Sequence, residues 1–142
     1  MNAIASTDPT AQPRFIDNGD GTITDTKHNL MWTKDTISTK NVNQYEAEKI
    51  CADCRVGGHD TWRLPDVEEL FPLADRSRLR PAIDTTFFPD THSDWYWTRT
   101  LYADAASRAA WFVFFDYGNS GDCNRGNGNA FVRACRPLSS GQ

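Results

Sequence analysis

The chain is 142 residues long with 39% apolar and 12% aromatic residues, enough for one folded core and against global disorder. Lys and Arg number 15 against 19 Asp and Glu, and a net charge of −4 argues against nucleic-acid binding through an overall field. Fifteen of the acids are Asp and eleven of the bases are Arg; Asp favours turns and caps while Glu and Lys favour helix interiors, so the composition leans to turns and strands.

Residues 1–13 are small, polar and Pro-rich. They read as a disordered lead-in and lack the basic start and apolar stretch of an intact secretory signal. A folded domain is expected over residues 14–137, with 138–142 as a tail. Two β-prone segments in Arg14–Asp25 flank Asn18-Gly19-Asp20-Gly21, whose residues tolerate positive φ, which predicts a tight hairpin. An EF-hand loop is the alternative, but a glycine in its sixth position would put Ile16 or Arg14 where the first carboxylate ligand belongs. A turn at Lys27–Asn29 then leads into a short buried strand, Leu30–Trp32.

A helix is predicted from about Val42 to Cys54, with Asn43 and Asn41 equally good caps. Its apolar periodicity puts Ala47, Ile50, Cys51 and Cys54 on the buried face, and Gly57-Gly58 stops it. A second, short or kinked helix follows Trp62-Arg63-Leu64-Pro65, capped by Asp66 with Glu69 three residues on, interrupted by Pro72 and ending near Asp75. Residues 76–94 read as a long loop pinned by Ile83, Phe87 and Phe88. Strands are predicted at Trp95–Thr100, Ala109–Phe115 and Ala130–Arg136, the middle one apolar on both faces and therefore buried from both sides. Between the last two, Asp116–Asn129 is rich in Gly and Asn, a composition made for loops. The longest apolar run, Ala109–Phe115, is far short of the about 20 residues that span a bilayer, so no membrane insertion is expected.

Few residues suggest chemistry. His28, His59 and His92 lie in separate loops, and no HExxH, GxSxG, phosphate-loop or GxGxxG pattern occurs, so no enzyme is expected. The cysteines are Cys51, Cys54, Cys123 and Cys135; an even count in a small aromatic-rich domain suits two disulfides in any of three connectivities. Cys51 and Cys54 also have the C-x2-C spacing of zinc knuckles, but the second pair, C-x11-C, does not. Redox C-x2-C pairs open a helix, and this one closes one.

The segments FIDNGDGTITDTKHNLMW (15–32), GGHDTWRLPDVEEL (57–70), IDTTFFP (83–89), WYWTRT (95–100), AWFVFFDYG (110–118) and FVRACRP (131–137), in this order, resemble the bacterial Lcl C-terminal domain family (DUF1566). The resemblance implies an α+β, C-type-lectin-like fold: two helices on a twisted antiparallel sheet, long loops, and N- and C-terminal strands close together. It implies a non-enzymatic binding role at a bacterial surface or on a phage-related protein, hence an extracellular, cell-surface or virion location. It also implies a Cys51–Cys135 disulfide, and by extension Cys54–Cys123. The calcium tripeptides of sugar-binding C-type lectins are absent, Phe88-Pro89-Asp90 being only a partial match, so no cofactor is expected and calcium is a minor alternative. The family pattern has small hydroxyl residues where this chain has Arg99.

Recognition loops on rigid scaffolds favour Tyr, Ser, Gly and Asn. The expected binding face therefore comprises Asp94, Trp95 and Arg99 with Asp116, Tyr117, Asn119, Ser120, Asp122, Asn124, Arg125, Asn127 and Asn129. Tyr117 and Trp95 would be the anchors, with Arg99 and Arg125 as anion contacts, and the partner a cell-surface protein or glycan. Some lectin-like domains are diversified by retroelements that mutate adenines, with Asn codons as favoured targets, and the Asn-rich stretch at 119–129 resembles such a region. The alternatives are a trimerising head on a fibre and a sulfated-glycan adhesin. The latter requires Arg99, Arg125, Arg133 and Arg136 to cluster on one face.

Overall fold

The computed structural model describes residues 13–101, 103 and 108–138; most of the expected lead-in and tail lie outside them. The architecture is α+β, with two helices and two antiparallel sheets. The first sheet has the order β1-β2-β3-β7, from Phe15–Asp17, Thr22–Asp25, Leu30–Thr33 and Cys135–Pro137. The second has the order β4-β5-β6, from Trp95–Leu101, Ala109–Phe114 and Asn119–Asn124. Pairing of β3 with β7 seats the last strand beside the N-terminal hairpin. No helix among the described residues is long and apolar enough to cross a membrane.

The Asn-Gly-Asp-Gly segment makes the β1–β2 turn. Asp17 Oδ1 accepts from Gly19 N at 2.9 Å, and Asp20 Oδ1 accepts from Thr22 N at 3.1 Å and Thr22 Oγ1 at 2.6 Å. These carboxylates hold the turn itself, and positive φ at Gly19 (79°) and Gly21 (90°) lets it close.

Helix α1 runs Gln44–Asp53, and Asn43 is its cap: its side chain accepts from Glu46 N at 2.9 Å. Asn43→Ala is expected to cost about 1 kcal/mol in urea unfolding, with Asn41→Ala near neutral; equal losses would show that the cap is not fixed at Asn43. Gln44, Ala47 and Cys51 are buried, while Cys54, just beyond the helix, is half-buried. The helix ends before Gly57-Gly58, which instead form a 3-10 turn, Val56–Gly58. Helix α2, Val67–Leu70, is set by a capping box between Asp66 and Glu69, and Pro72 turns it into a 3-10 segment, Phe71–Leu73.

Two expectations are corrected. The Gly/Asn stretch is not one loop, because residues 119–124 form β6 and pair with all six residues of β5 in unbroken register, Ala109↔Asn124 to Phe114↔Asn119. A partner strand with apolar residues on both faces overrides the weak β-propensity of Asn, Ser and Gly. The closing strand is also shorter than expected. The backbone of 130–135 changes partner repeatedly, bridging Ala130 to Val42, Phe131 to Tyr96 and Cys135 to Arg63, and only Cys135–Pro137 joins the sheet.

Period-two alternation makes the second sheet a wall between two cores. Tyr96, Val113 and Phe115 pack with Ile23, Trp32, Leu70 and Phe88. Trp97, Ala110 and Phe112 pack on the other side with Val42, Ala47, Trp62 and Val132.

Candidate functional site

Antiparallel pairing places Trp95 opposite Phe114 and Trp97 opposite Phe112. These four rings therefore share one face of the second sheet. The Trp95 ring stacks on Phe112 with centroids 4.0 Å apart and on Phe114 at 4.5 Å. Phe114 meets Tyr117 edge-on at 5.1 Å, and Phe112 meets Trp97 at 5.4 Å. The result is a continuous row, Trp97-Phe112-Trp95-Phe114-Tyr117, that runs from the core to the surface. Trp97 is fully buried, Trp95 and Phe114 are half-buried, and Tyr117 is 51% exposed.

Gly121, opposite Phe112 on β6, borders the row. A Cβ there would stand 3.4–3.5 Å from Trp95 Cη2 and Cζ3 and from Phe112 Cε1, so the indole reaches across β5 to the glycine. At the tip, Gly118 has φ 84°, and its N–H donates to Phe114 O at 3.0 Å. Around the tip, Asp94 Oδ1 accepts from Trp95 N at 2.7 Å, Asn119 Oδ1 accepts from Ser120 N at 2.8 Å, and Asp116 lies 3.7 Å from Arg80.

The expected binding residues therefore fall into two groups. Asp94, Trp95, Asp116, Tyr117 and Asn119 gather at the hairpin tip. Asn124, which ends β6, and Arg125, Asn127 and Asn129 beyond it lie at the other end of the strand, about 17 Å away at the rise of an antiparallel strand. Ser120 and Asp122 point to the opposite face of the sheet. Asn124 Oδ1 is occupied by the turn it closes, accepting from Gly126 N at 2.9 Å and Asn127 N at 3.1 Å.

The expected anion contacts already have partners within the protein. Arg99 is held by Asp66, with Nε to Oδ1 at 2.7 Å and Nη2 to Oδ2 at 3.3 Å, and that hydrogen bond also keeps Asp66 below the usual carboxylate range. Arg125 lies over the Tyr45 ring at 4.4 Å, donates to Gln44 Oε1 at 2.7 Å and pairs with Glu48 at 3.3 Å. Arg133 is 1% exposed and Arg136 8%. These four arginines form no open basic patch. Each serves the scaffold because Arg carries several donors in a fixed fork and can tie separate chain segments together.

The two implied disulfides, Cys51–Cys135 and Cys54–Cys123, are also corrected: all four cysteines are free thiols. Cys135 Sγ is turned to the Arg63–Glu69 pair, accepting from Arg63 Nη1 at 3.4 Å and donating to Glu69 Oε1 at 3.8 Å. Cys51 packs in the other core with Ala47 and Trp62, and Cys123 Sγ fills the space beside Gly128. Burial pushes the Cys51 and Cys135 thiols far above their ordinary range, which removes the thiolate that reactive cysteines need. Among the described residues no three His, Cys, Asp or Glu side chains converge to hold a metal ion.

Phe112, Phe114 and Gly121 are missing from the expected site. Alternation along β5 already puts both phenylalanines on one face, but their link to Trp95 needs the β4–β5 register, and Gly121 needs β6. Residues 21–136 match the family model described as the Lcl C-terminal domain. The chain matches no curated protein.

Proposed function

On the premise that the chain belongs to the Lcl C-terminal domain family, we propose that it is a non-enzymatic recognition domain whose contact surface is the aromatic row ending at Tyr117. The observation that carries this reading is the row itself. A half-exposed tyrosine is rigidly backed by Phe114 and Trp95, so a ligand gains aromatic area at little entropic cost. The main-chain and amide groups of Asn119, with Asp94 and Asp116, supply hydrogen bonds around it. A cell-surface protein or a glycan fits this mixture of apolar, amide and carboxylate groups, and the reading places the domain on a cell surface or virion, with the C-type-lectin-like fold of its family. The row needs no metal and no cofactor.

Tyr117→Ala is expected to weaken binding to immobilised glycans or surface proteins by at least about tenfold. Its melting temperature should stay within about 2 °C of the parent, because among the rings of the described residues Tyr117 touches only Phe114, edge-on. Undiminished binding, or loss only after unfolding, would sink the proposal. So would a stable trimer that Tyr117→Ala dissociates, because the row would then be a subunit interface.

The same geometry suggests where sequence can vary at low cost. Tyr117, Asn119, Asp122, Asn124, Asn127 and Asn129 are exposed on turns or an edge strand, whereas Gly118 has φ 84° and stands close against Arg76. If this region is diversified, sibling genes will differ at the exposed positions and keep Gly118; substitutions spread evenly through 116–129 would refute diversification.

A further inference from the structure

An open cleft of about 460 Å³ lies between the start of β1 and the segment after α2. Phe15, Phe71 and Leu73 give it apolar walls, and Arg14, Arg76 and Asp84 stand among its lining residues. The size suits a small ligand or the end of a larger one.

Both arginines are pre-set. Arg14 lies over the Phe15 ring at 4.6 Å, donates to Asp25 through Nε at 3.4 Å and Nη2 at 3.2 Å, and also reaches Pro72 O at 3.1 Å. Arg76 lies over the Phe71 ring at 5.0 Å, and its Nε donates to Gly118 O at 3.0 Å. Packing against Gly118 fixes the Arg76 stem as well, since a Cβ there would stand 3.0 Å from Arg76 Cγ.

The charges differ in what answers them. Arg14 is countered by Asp25, and Asp75 by Arg78 at 3.0 Å. Asp84 has Arg78 at 3.9 Å and accepts from Thr86 N at 3.0 Å. Among the charged residues that line the cleft, Arg76 alone has no oppositely charged partner among the described residues. Its Nε is spent on the hairpin and its terminal nitrogens are not. A guanidinium placed over a phenyl ring, with its two terminal nitrogens unspent, can receive a carboxylate bidentately.

We propose that this cleft is a second binding site, independent of the aromatic row, for a ligand that carries a carboxylate on an apolar body. The carboxylate pairs with Arg76 and the apolar part lies against Phe15, Phe71 and Leu73.

The test is titration of the full chain with N-acetyl-L-phenylalanine and, separately, with its uncharged amide, followed by backbone amide NMR shifts. The acid should move the amides of Phe15, Ala74, Arg76 and Asp84, weaken with added salt, and bind at least about tenfold more tightly than the amide. Arg76→Gln should abolish that preference, and Tyr117→Ala should leave it intact. Equal binding of acid and amide by the parent chain would overturn the proposal whether or not Arg76→Gln folds. Equally tight binding of benzenesulfonate would overturn the restriction to carboxylates. Shifts confined to Trp95, Phe114 and Tyr117 would move the ligand to the aromatic row and refute the cleft while leaving the function proposed above untouched.

Discussion

Arg133→Met will destabilise the protein by about 3–5 kcal/mol, measured by urea unfolding with an unchanged slope. Arg133 is 1% exposed and its guanidinium is a junction for three chain segments. Nη1 donates to Thr33 O at 2.6 Å and Lys34 O at 2.5 Å, while Nη2 donates to Asp90 O at 3.1 Å and Thr91 Oγ1 at 2.8 Å. The end of β3, the loop before β4 and the crossing segment 130–134 are thereby tied at one point. The charge rests against the Phe88 and Tyr96 rings at 4.9 and 5.9 Å.

Methionine fills much of the volume but supplies no donor. It would leave buried carbonyls unsatisfied, at about 1–3 kcal/mol each before relaxation. Relief from burying the guanidinium offsets part of that loss. Arg133→Lys should recover only a fraction, because an ammonium is a point charge and cannot reproduce the planar fork that reaches a different segment on each side. A methionine variant within about 1 kcal/mol of the parent would show that water or local rearrangement replaces the fork.

Arg133 also shows how far the sequence can be read. Its partners lie at positions 33, 34, 90 and 91, which no local pattern connects to it. Local signals fared best. The Asn-Gly-Asp-Gly hairpin, the Asp66–Glu69 capping box and the two-sided burial of β5 all depend on residues within a few positions of one another. Residues 119–124 have the composition of a loop but form a strand, because β6 owes its conformation to β5 rather than to its own residues. The site fared likewise. Trp95 and Tyr117 were legible as aromatics in polar surroundings, whereas their connection through Phe114, and the capture of Arg99 by Asp66 and Arg125 by Glu48, are tertiary facts.

Asp25→Asn is expected to cost about 2 kcal/mol near neutral pH, and the cost should fade in acid. The Asp25 side chain is 1% exposed and sits at the foot of the turn between β2 and β3. Oδ1 accepts from Lys27 N at 3.0 Å, His28 N at 3.3 Å and Arg14 Nε at 3.4 Å; Oδ2 accepts from Arg14 Nη2 at 3.2 Å and lies 3.2 Å from His28 Nδ1. Burial alone would raise its pKa, but the hydrogen bonds and charge of Arg14, helped by His28, outweigh burial and hold the carboxyl below the ordinary Asp value. With the folded pKa below the unfolded one, the unfolded chain takes up a proton first as the pH falls. The stabilisation is therefore complete above the unfolded value, about 3.9 for Asp, and is lost as the pH drops from there through the folded pKa. Asparagine keeps an acceptor for the two turn amides, so what it removes is the charge that answers Arg14. Asp66, Glu69 and Asp75 are shifted in the same direction, so the parent loses stability in acid for several reasons at once. The informative quantity is thus the difference between parent and Asp25→Asn from unfolding at about pH 7 and again at about pH 3. A gap that narrows assigns this share of the acid sensitivity to the Arg14–Asp25 pair; a gap that is constant with pH would mean that the loss is one of packing and hydrogen-bond shape, with the charge contributing nothing.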